Sequence, residues 1–255
     1  MVAAGMFLDL LRESPFEPTG LRAQLHGSLA YTGIGHATDR AILLGLAGFR
    51  PATFNATEGE KALSLIKNNK VVNPDGLPQM KIDPAIDILF DYGPALPGHA
   101  NGLILTATDQ QGDVLMQQTY YSVGGGFVVT EEEITSGRAV GDLAHYPHEF
   151  ETASALLEIC VKTGKSITEI KRENELSRRS ALELDRGLAE IWDVMSSCID
   201  RGLVTDGILP GGLNVKRRAK GIHDSLVSER GVNLSAPHTI NDWMSVYAMA
   251  VNEEN

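Results

Sequence analysis

YTGIGHATDRAILLGLAG, from Tyr31 to Gly48, decides how the rest of the chain is read. It opens with Gly33 and Gly35 directly before His36, then runs into AILLGLAGF, the longest apolar run of the chain, from Ala41 to Phe49. Glycines before a polar cluster let the backbone turn sharply and approach a small ligand closely. Thr38 and Asp39 are residue types that cap the start of a helix. The expected product is a strand from Ala23 to Ala30, a tight loop, and a buried helix whose positive end points back at the loop. Such an end favours a bound anion, a substrate carboxylate included. His36 stands at that spot, with the one side chain that readily takes or gives a proton near neutral pH. The residues also allow a plain core helix capped by Thr38 and Asp39, with His36 on the surface.

Working outward, Met6, Phe7, Leu10 and Leu11 fall on one face of a short helix that PFEPTG ends. Beyond the buried helix, Pro51 breaks the pattern, and Thr57 with Glu60 reads as a capping box for a helix through ALSLIKN. NPDG, Asn73 to Gly76, is a turn. IDILFDYG, Ile86 to Gly93, reads as a strand that ends in the loop GPALPGHANG, which carries His99. GLILTATD and VLMQQTYYSV form a hairpin across DQQGD, and the second strand runs on into SVGGGFVVTEEE. Strands mixed with helices predict an α/β (α+β) domain over residues 1–135.

From about Glu149 the pattern is helical, and residues 136–255 read as an all-helical segment. Phe150, Ala153, Leu156, Leu157 and Cys160 keep helical spacing, Gly164 suits a helix C-terminus, and Ser166 with Glu169 is a capping box. Leu184, Leu188, Ile191, Trp192, Met195, Cys198 and Ile199 form an apolar stripe, expected to face a core. Thr239 with Asp242 starts a last helix.

The chain has 255 residues, 43% of them hydrophobic, enough for one large domain or two ordinary ones. Its net charge of -11 would repel a phosphate backbone, so nucleic acid is not an expected partner. No apolar run approaches the roughly 20 residues a membrane span needs. The start of the chain, with Asp9 near its apolar residues and no basic leader, does not read as a signal peptide. Two cysteines in no C-x-x-C pair fit a cytosolic compartment best.

Three glycine-rich loops, TGIGHATD, PGHANG and SVGGGF, each follow a strand, and polar loops on a rigid sheet are where binding and catalytic groups are commonly placed. His36 and His99 can form an acid/base pair, with Asn101 and the amides of Gly124, Gly125 and Gly126 as hydrogen-bond donors. The glycine triplet lacks the lysine and spacing of a phosphate-binding loop. His26, inside a strand pattern, reads as a structural histidine with its ring satisfied. His145 and His148 flank Pro147 and read as solvated, with metal ligation as the alternative. KRRAK, from Lys216, reads as a solvated face or a carboxylate anchor.

LHGSLAYTGIGHATDRAILLGLAG, PGHANG and QTYYSVGGGFVVTEEE resemble the first domain of the iron–sulfur L-serine dehydratases, and LPGGLNVKRRA and NDWMSVYAMAVNEEN resemble the opening of that family's second, helical domain. The likeness spans nearly the whole chain in the family's order. Two family segments have no counterpart: S-S-S-H-T-x-G-P ahead of MVAAG, and a cysteine-bearing stretch after NEEN. The resemblance therefore implies a piece of a longer enzyme, expected to be inactive alone.

The resemblance further implies β-elimination of L-serine to pyruvate and ammonia, with a [4Fe–4S] cluster as Lewis acid in the intact protein. Neither Cys160 nor Cys198 lies where it would place a cluster ligand, so no ligand for the cluster is expected here. His36 and His99 would be base or positioning groups, with Thr38, Asp39 and Asn101 orienting them and Gly124, Gly125 and Gly126 holding a carboxylate. L-serine is the implied partner, and a homodimer is among the assemblies this reading allows. The alternative is an amino-acid-binding or regulatory module without chemistry of its own, in keeping with a likeness to ligand-binding domains of phosphoglycerate dehydrogenases.

Overall fold

In the computed structural model, which describes residues 1–137, 146–209, 213–229 and 237–254, the chain opens with helix α1 (Val2–Glu13). Its buried residues are Ala3, Ala4, Gly5, Phe7, Leu8 and Leu11, while Leu10 is exposed and Met6 lies at the edge of the core. The expected stripe is therefore turned toward Ala4 and Leu8. The cause is a close crossing with a later helix, where a Cβ on Gly45 would come 2.6 Å from the Ala4 Cβ.

There follow β1 (Gly20–Gly27), α2 (Ser28–Thr32), α3 (Thr38–Leu46), α4 (Ala56–Asn69), β2 (Val71–Val72), β3 (Met80–Lys81) and β4 (Ile88–Asp91). Next come β5 (Asn101–Thr108), β6 (Val114–Gly124), β7 (Phe127–Thr130) and α5 (Glu131–Thr135). The strand expected to run to Ala30 stops at Gly27, whose φ of 56° and ψ of -130° turn the chain into α2. Helix α4 is capped by Asn55, which accepts the Glu58 N–H at 3.1 Å, and not by Thr57; Glu60 instead pairs with Arg40 of α3.

The strands form one mixed sheet in the order β2-β3-β1-β5-β6-β7, with β4 also on β1. β1 runs parallel to β3 and β4 on one edge and antiparallel to β5 on the other. β5, β6 and β7 continue antiparallel, the expected hairpin turning across Asp109–Asp113. Alternation puts Leu21, Ala23 and Leu25 of β1 on the face covered by α1, α3 and α4, with Leu103, Leu105, Ala107 and Tyr120 beside them. Each fully buried leucine there contributes about 1.5–3 kcal/mol. Burial, and secondarily the Asp9 charge, push the Tyr120 phenol above its ordinary value. The other face carries Arg22, Gln24 and His26.

The second half is helical as expected: α6 (Ala153–Thr163), α7 (Ile167–Leu176), α8 (Ala181–Gly202), α9 (Ala219–Glu229) and α10 (Pro237–Glu254), with one isolated bridge between Ile208 and Lys216. Gly164 ends α6 at φ 70° and the Ser166–Glu169 box starts α7. A Ser180–Glu183 box starts α8. The stripe of α8 departs from expectation. Leu184 is buried, but Leu188, Ile191, Trp192 and Met195 are exposed, and Cys198 is only half-buried, with Arg201 Nη2 at 3.3 Å from its sulfur. By internal contacts the chain divides into Met1–Gly141 with Pro210–Leu213, and Asp142–Leu209 with Asn214–Asn255.

A carboxylate knot closes the helical unit. Buried Glu253 accepts the backbone N–H of Arg218 at 2.7 Å, and Glu254 takes Arg201 at 2.9 Å and Arg217 at 2.7 Å. One arginine of the basic run is thus a carboxylate anchor. Desolvation works to raise the Glu254 carboxyl, but the Arg201 and Arg217 hydrogen bonds outweigh it and hold the group below its ordinary value of 4.5. A carboxyl with a depressed folded-state pKa contributes stability that is present above its unfolded value and lost as pH falls through the folded one. Glu254→Gln is therefore expected to cost about 1–2 kcal/mol at pH 7, the order of a charge-assisted hydrogen bond. It should also flatten the acid side of the stability curve below about pH 4.5. Urea titrations between pH 3 and 7 check this; parallel acid limbs for the two proteins would contradict it.

Candidate active site at the glycine-loop end of the sheet

Strand direction brings the three glycine loops to one end of the first unit. β1 and β6 run toward that end and β5 starts from it, since Gly27 pairs with Asn101 and Gly102 with Tyr121. β4, parallel to β1, also ends there, with Asp91 opposite His26. The loops after β1, after β4 and after β6 therefore crown the same edge.

The first loop is α2 and the turn from Gly33 to Ala37. Thr38 N–H donates to the Gly33 carbonyl at 2.8 Å and His36 N–H to Thr32 at 3.1 Å, closing a compact turn. Gly33 is required by close approach, because a Cβ there would lie 2.3 Å from the Leu29 carbonyl oxygen and 2.9 Å from the Phe90 ring. Ala37, at φ 52°, is the residue before α3; Thr38 and Asp39 lie within the first turn and do not cap it with their side chains. The expected capping role thus passes to a backbone turn, and Asp39 still meets the positive helix end. His36 is exposed, and no described residue hydrogen-bonds its ring.

The second loop, from Tyr92 to Ala100, folds back over the sheet. Gly98 N–H donates to the hydroxyl of fully buried Tyr121 at 3.3 Å, and Leu96 lies on Gly102. Half-buried His99 accepts the Asn101 backbone N–H on Nδ1 at 3.1 Å, and Asn101 Nδ2 donates to the Ser122 carbonyl at 3.2 Å. With Nδ1 occupied as an acceptor, the neutral imidazole carries its proton on Nε2.

Tyr31 and Tyr92 stitch the two histidine loops together. The Tyr31 hydroxyl donates to the Tyr92 carbonyl at 2.7 Å, and the rings meet edge to face at 5.2 Å. Ser28 N–H adds a bond to the Ala100 carbonyl at 2.8 Å. Among the described residues no bond or ring contact joins His36 to His99 directly. The tyrosine staple was missed in the sequence, although Y-T-G and D-Y-G each put an aromatic beside a loop glycine.

Gly124, Gly125 and Gly126 form the β6–β7 turn, two residues beyond Ser122. All three are exposed, at φ 101°, 60° and 80°, a run that only glycine adopts without strain. His26 is buried in β1, but its ring is not satisfied as expected: its Nδ1 lies 3.6 Å from Asp91, and its Nε2 has no partner among the described residues. A cleft of about 660 Å³ lies at the opposite end of the sheet, against Thr19, Lys81, Thr108 and Gln111, away from these loops.

In the helical unit His148 is held rather than solvated. Its Nε2 lies 2.6 Å from Glu173, and its backbone exchanges two hydrogen bonds with Asn174. The Lys165 and His148 hydrogen bonds hold the Glu173 carboxyl below its ordinary value. His145 falls outside the described residues. Cys160 and Cys198 stand on α6 and α8, and among the described residues no three His, Cys, Asp or Glu side chains converge as a metal site. No described helix is long and apolar enough to cross a membrane.

Residues 1–133 match the serine dehydratase beta chain family, and residues 162–255 match the serine dehydratase alpha chain family. The whole chain aligns with the L-serine dehydratase of Streptomyces coelicolor at 40% identity, covering 56% of that protein. L-serine dehydratase TdcG of Escherichia coli is 39% identical over all of this chain and 56% of its own length. The L-serine dehydratase of Mycobacterium bovis is 39% identical over all of this chain and 55% of its own. The chain thus spans little more than half the length of these relatives. It belongs to the serine dehydratase family, with its beta-chain region in the sheet unit and its alpha-chain region in the helices.

Proposed function

We propose that this chain supplies the proton-transfer and substrate-holding side of an L-serine ammonia-lyase. What carries the reading is the stapling of the His36 and His99 loops at one sheet end in a member of this family. In the reaction a base takes the Cα proton, the β-hydroxyl leaves as hydroxide, and that hydroxide takes up a proton to become water. The aminoacrylate then tautomerises and hydrolyses to pyruvate and ammonia.

The two histidines suit different parts of that work. His36, exposed and with no described partner on its ring, takes the Cα proton. His99, with Nδ1 engaged by Asn101, presents Nε2–H and holds the serine carboxylate. Asn101 spends one N–H on Ser122, which leaves its Oδ1 to accept from the substrate ammonium. The backbone turn closed by the Thr38 N–H on the Gly33 carbonyl and by the His36 N–H on the Thr32 carbonyl sets where His36 stands, ahead of α3 with its Thr38 and Asp39. The exposed amides of Gly124, Gly125 and Gly126 add donors for the carboxylate.

Departure of the hydroxyl needs an acid, which the resemblance assigns to a [4Fe–4S] cluster. The donors of this chain do not fit one. It has two cysteines, on separate helices, whereas such clusters are held by about four thiolates. Anaerobic iron–sulfur reconstitution of the 255-residue chain is expected to leave it without stoichiometric iron; brown protein with about four irons per chain would contradict this.

The activity is tested on a completed enzyme, in which the chain is fused at both ends to the residues of the Streptomyces coelicolor relative that lie outside the match. After reconstitution, the fusion should convert L-serine to pyruvate and the 255-residue chain should not. A folded, iron-loaded fusion that forms no pyruvate would overturn the proposal. A second reading, an amino-acid-binding module without chemistry, is favoured by the incomplete donor set. It predicts L-serine binding to the chain alone by calorimetry, with no pyruvate from either protein.

A further inference from the structure

The apolar stripe of α8 is covered at both ends and bare in the middle. Leu184, where α7 packs on α8, is 7% exposed. At the other end Gly202 lies so close to α10 that a Cβ would come 2.5 Å from the Ala250 carbonyl oxygen. Between them Leu188, Ile191, Trp192 and Met195 are 55, 62, 63 and 45% exposed. At 100° per residue all six positions fall within about 100° of arc, so they are one face. Single exposed hydrophobes need no explanation, but four adjoining ones on a face buried at either side do.

The dimensions of the gap specify its occupant. From Leu188 to Met195 is about 10 Å along the axis at 1.5 Å per residue. Packed helices lie about 8–10 Å apart, so the gap admits one crossing helix. A groove of about 650 Å³ between α7 and α8, lined by Ile167, Leu184, Leu188 and Ile191, opens onto the same stretch. The stripe lies inside the alpha-chain region, and the relatives carry over two-fifths of their length outside the match.

We propose that a helix from the part of the serine dehydratase alpha chain outside this match crosses α8 between Leu188 and Met195, with Trp192 at the centre of the contact. The inference rests on family membership and is independent of the elimination chemistry. The contact is expected to be dry and apolar, since the bare positions offer no hydrogen-bonding group except the indole N–H. An aromatic residue at the centre of such a patch is the usual energetic anchor.

The test co-expresses tagged 255-residue chain with the residues following its match in the Streptomyces coelicolor relative, as a separate polypeptide. The second polypeptide should co-purify in equal amount. Trp192→Lys and Ile191→Lys should each lower its recovery at least about tenfold, the scale of losing a central anchor. Glu190→Lys, on the far side of α8, should leave recovery unchanged. All these sites are exposed in the free chain, so circular dichroism should show each variant folded. Equal recovery with Trp192→Lys would overturn the proposal. So would a dimer of the chain alone that Trp192→Lys dissociates, which would make a second copy the occupant. If the separate polypeptide is insoluble, the fused enzyme and the 255-residue chain, each with every tryptophan but Trp192 replaced by phenylalanine, report instead. Acrylamide should quench Trp192 several-fold less in the fusion than in the 255-residue chain, and equal quenching in a folded fusion would also sink the idea.

Discussion

His36→Ala in the completed enzyme is expected to lower L-serine turnover by roughly 10²–10⁴-fold, the range for loss of a general acid–base group. His99→Ala should cost a similar factor in kcat/KM but with a larger share in KM, because Nε2–H holds the carboxylate in the ground state as well. His99→Asn, whose amide keeps a donor, should recover part of the KM loss. His36→Asn should recover nothing, since it cannot take a proton. The double alanine variant should lose much less than the product of the two, because groups that act as one unit are not additive. His223→Ala, in the helical unit, serves as a control, and any loss there should follow stability. Steady-state pyruvate formation per folded, iron-loaded molecule checks all of these. Near-normal kcat/KM for both His36→Ala and His99→Ala would remove the catalytic assignment and leave the family membership untouched.

Gly27→Ala should be among the most damaging single substitutions in the sheet unit. An added Cβ would stand 2.3 Å from the Ala100 carbonyl oxygen and 3.0 Å from the Ala95 Cβ, and φ there is 56°. A methyl in that place must displace backbone rather than a flexible side chain, while the residue is also held in a region that non-glycine residues avoid. A loss of about 3 kcal/mol is expected, which for a domain of this size is roughly 6–12 °C in Tm. Gly112→Ala is the comparison, since its φ is 89° but nothing lies within 4 Å of the added Cβ. It should cost only about 1 kcal/mol. Thermal melts followed by circular dichroism separate the two; equal melting points would show that the Ala100 contact gives way freely. Because Ser28 bonds Ala100 from the next position, Gly27→Ala should also loosen the His99 loop and lower turnover in the fusion.

Local signals were legible wherever one short segment settles its own conformation. The Asp109–Asp113 turn set the hairpin, Gly164 and the Ser166–Glu169 box set α6 and α7, and the turn at Gly76 followed from NPDG. The loops bearing His36 and His99 were found for the same reason, since glycine spacing marks a turn without reference to the rest of the fold. What failed depends on partners far away in sequence. A stripe on α8 reports that a face is apolar, not that something covers it, so Cys198 was expected deeper than it lies. The buried side of α1 was misread because Gly45 decides it. Asn55 displaced Thr57 as the cap of α4 because both are capping types two residues apart. The Nδ1 contact that fixes the His99 tautomer, and the Tyr31–Tyr92 staple, join loops whose proximity only the strand order creates.

The central place of β1 has a consequence for how the chain is made. Its hydrogen-bonding neighbours are β5, reached only at Asn101–Thr108, and β3 and β4 before it. A ribosome adding about 5–20 residues per second takes on the order of 4–16 s to make the roughly 80 residues between β1 and the end of β5. During that interval α1, already emerged, can shield the apolar side of β1, and α3 and α4 can join it. No early helix can satisfy the two rows of backbone N–H and C=O groups along its edges. A nascent chain paused before Asn101 has β3 and β4 for one edge of β1 but leaves its eight residues open along the edge that β5 will take, the form most prone to pair with another chain. Translation speed through the 92–100 loop, more than the stability of the finished sheet, should set how much of this protein reaches its native state without a chaperone.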